Sequence, residues 1–118
     1  MSKKQPYGII VFYPVRLISE PNQRGNWRVH NRRRKEHRII GRQALVGQPV
    51  DKANVRRVVI TRCAPRLLDS DNAVGSAKSL RDGIADYLGR GDGPECGIDW
   101  VVEQEKRKGY SVRIEVFT

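Results

Sequence analysis

Little in this chain could hold a soft metal or form a covalent staple. Its 118 residues include only two cysteines, Cys63 and Cys96, and two histidines, His30 and His37. No C-x-x-C pair occurs and the histidines stand far from both thiols, so neither a zinc site nor a disulfide framework is expected. Long hydrophobic runs are also missing. The longest uninterrupted apolar stretch, Ile9 to Tyr13, falls far short of the roughly 20 residues of a membrane helix. Lys3 and Lys4 precede it, but it is too short for a secretory h-region and no small-residue cleavage site follows. These absences predict a soluble, cytoplasmic protein with reduced thiols. No P-loop, G-x-G-x-x-G, H-E-x-x-H or Ser/His/Asp arrangement is present.

Acidic residues are scarce in the first half. Residues 1–66 hold 16 Lys and Arg against 3 acids, whereas residues 67–118 hold 7 against 10. The net charge of the whole chain is +10. A field of that sign attracts polyanions and speeds encounter with them. Charge alone does not separate a nucleic-acid enzyme from an architectural binder. The length fits one domain spanning residues 1–118, with residues 1–6 a loose polar tail, and such a chain buries roughly two-thirds of its unfolded surface.

Local pattern predicts the elements. Gly8 to Leu17 reads as a strand interrupted at Pro14, and Ser19 to Arg24 as a loop. Gly25 to Val46 reads as a helix capped by Asn26 and stopped by Gly47 and Pro49. Its middle, Arg32-Arg33-Arg34-Lys35, is basic all round; it is either a solvated face or a surface for phosphates. Val55 to Cys63 reads as a second strand. Asn72 to Leu88 reads as a second helix, with Asp71 or Asn72 as N-cap and Gly89 past its end. Its apolar stripe is Val74, Ala77, Leu80, Ile84 and Leu88. Gly75 and Gly83 each weaken that helix by about 1 kcal/mol relative to Ala. Arg90 to Gly97 is a Gly-rich loop. Ile98 to Glu105 and Tyr110 to Phe117 then read as a terminal hairpin across Lys106-Arg107-Lys108-Gly109. The order β-α-β-α-β-β predicts an α+β fold, a mixed sheet with both helices packed on one face.

The stretch Asp69-Ser70-Asp71-Asn72 carries the most chemistry. Two carboxylates two residues apart follow the β-branched run Val58-Val59-Ile60-Thr61. On a strand, side chains at i and i+2 share a face, so both acids are expected to point at one spot. A hard cation such as Mg²⁺ takes oxygen ligands of this kind. Asx turns and helix caps use the same residues, although a cap needs only one of them. Asp92 in the Gly-rich loop and Asp99 at the third strand are both candidates for a third acid. Lys78, about two turns into the second helix, either meets a phosphate or pairs with Asp82 at i,i+4. Asp82 and Asp86 are expected on the solvated face. Trp27, beside Arg24 and Arg28, either stacks on a base or packs in the core.

From Leu67 to Phe117 the chain resembles the RusA-type Holliday-junction resolvases, particularly the phage and prophage branch. The matching features are Asp69-Ser70-Asp71-Asn72, the run Lys78-Ser79-Leu80-Arg81-Asp82-Gly83-Ile84-Ala85-Asp86-Tyr87-Leu88-Gly89, Asp92-Gly93 and Trp100…Gln104-Glu105-Lys106. The N-terminal half matches more loosely, through Asn22, Asn26-Trp27 and the basic helix. The resemblance implies a homodimeric α+β endonuclease that cuts four-way DNA junctions with Mg²⁺ in recombination or repair. It implies Asp69 and Asp71 as metal ligands, Asp92 as the third essential acid and Lys78 as the functional lysine, with Asn72 closing the motif. DNA would be bound by Arg28, Arg32, Arg33, Arg34, Lys35, Arg38 and Lys78. Many relatives have two adjacent acids where this chain has Asp92 alone, and a larger apolar residue where it has Ala73. The alternative is a basic DNA-binding module, or a degenerate relative, that does not cut.

Overall fold

A computed structural model of the protein describes residues 8–17, 27–90 and 97–118. The expected loop at 19–24, the N-cap Asn26, the Trp27 side chain, Asp92 and Cys96 lie outside the described residues. β1, Gly8–Tyr13, is a run of β-branched and aromatic residues that ends where Pro14 can no longer donate to a ladder. The first helix, α1, covers Trp27–Ala44. Gly47 lies beyond it in the left-handed region, at φ 86°. After a short 3₁₀ turn at Lys52–Asn54, β2 covers Arg57–Ala64, α2 Ser70–Leu88, β3 Asp99–Lys106 and β4 Ser111–Phe117. The expected α+β class and element order are therefore present.

The sheet has the order β1-β4-β2-β3. β2 pairs parallel with β3 and antiparallel with β4, and β4 pairs antiparallel with β1. This corrects the expected terminal hairpin, because β3 and β4 are not neighbours and β2 lies between them. Seven of the eight β2 residues are buried, so this strand needs a neighbour on each edge. The 107–110 connection passes over the end of β2, where Arg107 N–H donates to Ala64 O at 2.9 Å. α2 supplies the crossover that the parallel β2–β3 pair requires.

One face of the sheet makes the core. Val58 and Ile60 of β2 and Val112, Ile114 and Val116 of β4 pack there against Ala77, Leu80, Ile84 and Leu88 of α2. β4 alternates between half-buried and buried residues along its length, as the period-two pattern predicts. Ala44 and Leu45 bring the C-terminal end of α1 into the same cluster. Val74 does not join it and is 47% exposed, whereas the neighbouring Ala73 is buried. On the opposite sheet face, Ile10 and Phe12 of edge strand β1 are more than half exposed. No helix among the described residues is long and apolar enough to cross a membrane.

α1 packs chiefly along α2. A Cβ on Gly83 would overlap the Arg38 carbonyl, and one on Gly41 would overlap the Leu80 carbonyl. The two glycines thus let the helix backbones touch. Asp86 is exposed, as expected of the solvated face. It accepts two hydrogen bonds from Arg38, at 2.7 and 3.0 Å, with Arg42 Nε 3.8 Å away. The close crossing brings these α1 guanidinium groups within reach of the α2 carboxylate.

Candidate metal and nucleic-acid site

β2 runs toward the acidic motif, and the turn after it is held by one amide side chain. Gln104 of β3 accepts from Leu68 N–H and donates to Leu68 O, both at 2.8 Å. Its Oε1 also lies 3.3 Å from Arg62 Nη1. Arg62 is only 6% exposed. It donates to Leu17 O at 3.0 Å and Arg66 O at 2.8 Å. Burial lowers its pKa, yet a guanidinium keeps its proton in a protein. Leu68, the residue before Asp69, is therefore anchored on both backbone groups. Neither Arg62 nor this role of Gln104 was read from the sequence. The available signal was a charged residue on the apolar face of the Val58-Ile60-Arg62 alternation.

Asp69, rather than Asp71 or Asn72, occupies the N-cap of α2. Its carbonyl accepts Ala73 N–H at 2.8 Å, but its side chain makes no capping hydrogen bond. Asp71 lies in the first helical turn, where the helix dipole favours an anion. Both acids are exposed. The expectation of a shared strand face is thus corrected. The pair straddles a helix start, where side chains at i and i+2 do not face each other as they do on a strand. Asp69 itself has extended backbone, with φ −58° and ψ 153°. Two exposed carboxylates without a capping role fit a hard cation that retains several waters. Among the described residues no three His, Cys, Asp or Glu side chains gather as a complete ligand set.

The candidates for a third acid separate. Asp99 stands at the opposite end of the sheet, in register with Arg57 and 3.8 Å from its guanidinium. The eight residues of β2 span roughly 25 Å at 3.3 Å per residue. Asp99 therefore cannot share an ion with Asp69 of the same chain. Asp92 is outside the described residues. Arg90, two positions before it, lies at the far end of α2, donating to Val55 O at 2.6 Å. α2 itself is roughly 28 Å long.

The basic residues of α1 divide into two sets. Arg28, Arg32, Arg34 and Lys35 are exposed, and Arg33 is half-buried. Arg38 is also exposed, and its guanidinium is paired with Asp86 at 2.7 Å. The paired guanidinium holds the Asp86 carboxyl below its ordinary pKa. Lys78 is exposed and 3.6 Å from Asp82, the i,i+4 pair foreseen. A second charged network lies elsewhere. Glu105 accepts from Arg113 at 2.9 Å and Arg107 at 2.6 Å, and Arg113, then Arg107, hold its pKa down.

Two recesses flank these features. One, of about 570 Å³ on the sheet face away from the core, is lined by Arg57, Val59, Asp99, Glu103, Glu115 and Phe117. Its mixed charge and its place beside Asp99 separate it from the acidic motif. The other, of about 370 Å³, opens between α1 and α2 and includes Arg34 and Lys78. No protein-family model matches the chain, and no curated protein is significantly similar to it.

Proposed function

We propose that this protein is a Mg²⁺-dependent endonuclease of the RusA type that resolves four-way junctions and related branched DNA. The observation that carries the reading is the Asp69–Asp71 turn. Gln104 fixes it through Leu68, and its two exposed carboxylates stand on a chain of net charge +10. An anionic spot of this kind repels DNA unless a cation is present.

Asp69 and Asp71 would hold the ion, with Asp92 as the third acid. When bound, Mg²⁺ would lower the pKa of an attacking water and neutralise charge on the scissile phosphate. Arg28, Arg32, Arg33, Arg34, Lys35 and Arg38 neutralise phosphates of the junction arms. Lys78 stands about 10 Å along α2 from Asp71 at 1.5 Å per residue, close enough to serve a neighbouring phosphate. Arg90 lies at the other end of α2, so the reading takes Asp92 from a second copy of the chain. A two-fold dimer would also present two sites to opposing strands, as paired cutting requires. The setting is then the cytoplasm of a bacterial or phage-infected cell, in recombination or repair.

The test incubates wild type and Asp71→Asn with labelled four-way junction, linear duplex and single strands, in Mg²⁺ and in EDTA. Wild type should cut the junction only in Mg²⁺, and Asp71→Asn should bind it without cutting. Cleavage by Asp71→Asn at the wild-type rate overturns the site. The second reading is a basic module that binds without cutting. It predicts junction affinity independent of Mg²⁺ and no product strands.

A further inference from the structure

α2 contains two glycines, and packing accounts for only one. Gly83 sits where α1 touches α2, but a Cβ on Gly75 would meet nothing within 4 Å. Glycine at position 75 therefore weakens the helix without allowing any close contact. Gly75 lines the recess between the helices, together with Arg34 and His37 of α1 and Lys78, Ser79 and Asp82 of α2. Position 75 is exposed at the edge of this recess, where a longer side chain can reach into it.

The lining has the chemistry of an oxyanion site. Arg34 and Lys78 bring two cations from two different helices, and Asp82 returns one negative charge while holding Lys78 at 3.6 Å. His37 is 7% exposed, so the recess has a polar, buried floor. Ser79 adds a hydroxyl that can donate. The volume, about 370 Å³, is at the small end of ligand pockets. It suits a phosphate with its adjoining sugar better than a base pair or a folded peptide. A guanidinium fork matches a tetrahedral phosphate edge.

We infer that this cleft receives one phosphodiester phosphate of a DNA strand, with Arg34 and Ser79 donating to its oxygens and Gly75 leaving space for the sugar. The source of the phosphate rests on the reading of the chain as a DNA enzyme; the cleft's preference for an oxyanion does not.

The experiment uses the full chain in EDTA, so that no strand is cut, and titrates a labelled ten-nucleotide single strand at fixed ionic strength. Gly75→Leu should melt no lower than wild type, because leucine is the better helix former, yet bind about tenfold more weakly. Arg34→Gln should lose about as much, the worth of one charge-assisted contact. Gln43→Ala, exposed on α1 outside the cleft, should bind as wild type. Unchanged strand affinity in Gly75→Leu overturns the assignment, and so does an equal loss in Gln43→Ala. In a second arm inorganic phosphate is titrated against the bound strand, with chloride at matched ionic strength as reference. Phosphate that occupies the cleft without displacing the strand overturns the phosphodiester and leaves a free-phosphate site. Cleavage in Mg²⁺ is read separately. Its absence defeats the nuclease reading and not the cleft, whereas equal binding by all variants defeats the cleft and not the nuclease.

Discussion

Gly41 on α1 and Gly83 on α2 meet backbone to backbone. A Cβ on Gly41 would lie 3.0 Å from Gly83 Cα. The same approach brings Arg38 and Arg42 to Asp86. One pair of absent side chains thus sets how α1, which carries the cationic surface, sits on α2, which begins at the acidic turn.

The two glycines of α2 should respond in opposite directions to the same substitution. Gly83→Ala pushes a methyl into the Arg38 carbonyl and should destabilise by about 1–3 kcal/mol, the range of overpacking. Gly75→Ala meets open space and should stabilise by about 0.5–1 kcal/mol through helix propensity. Urea melts of both variants check this, and a matching sign would contradict the crossing geometry.

Gln104→Leu keeps the approximate size but removes both hydrogen bonds to Leu68 and an acceptor for Arg62. Unpaired groups at this half-buried site should lower stability by about 1–3 kcal/mol. If the turn positions the carboxylates, single-turnover cleavage should fall further than junction affinity. An equal fall in both would give Gln104 a purely structural role.

Asp99→Asn should leave junction cleavage at the wild-type rate. The residue faces Arg57 at the far end of β2, and its exposed ion pair is worth about 1 kcal/mol at most. A loss of cleavage comparable to that of Asp71→Asn would place Asp99 in the site after all.

Asp86 links the helices in a pH-dependent way. Its folded pKa is depressed, first by the hydrogen bond from Arg38, so its contribution is present above the ordinary carboxylate value of 3.8. The contribution fades as pH falls through the depressed folded value. The carboxylate is about one-third exposed, so solvent screening limits the pair to about 0.5–1 kcal/mol. Wild type should exceed Asp86→Asn by that margin at pH 7, and the two stability curves should converge in strong acid. A gap that persists unchanged to pH 2 would assign the difference to packing.

The sequence by itself determined the order of elements, the alternation of Val112, Ile114 and Val116, the stripe Ala77, Leu80, Ile84 and Leu88, and the stop at Gly89. It also determined that two carboxylates and a lysine lie near one helix start on a cationic chain. These features follow from periods of 2 and 3.6 and from local turn chemistry, which a chain carries residue by residue. Tertiary structure alone decided that β3 pairs with β2 instead of β4, which separates Asp99 from Asp69. It alone decided that Arg38 is bound to Asp86 and that Gln104 holds Leu68. A period of two tells a strand which side is inside but not which strand lies beside it. A glycine tells a helix that something can come close but not what. Both answers come from contacts between residues tens of positions apart, and only the packed chain settles them.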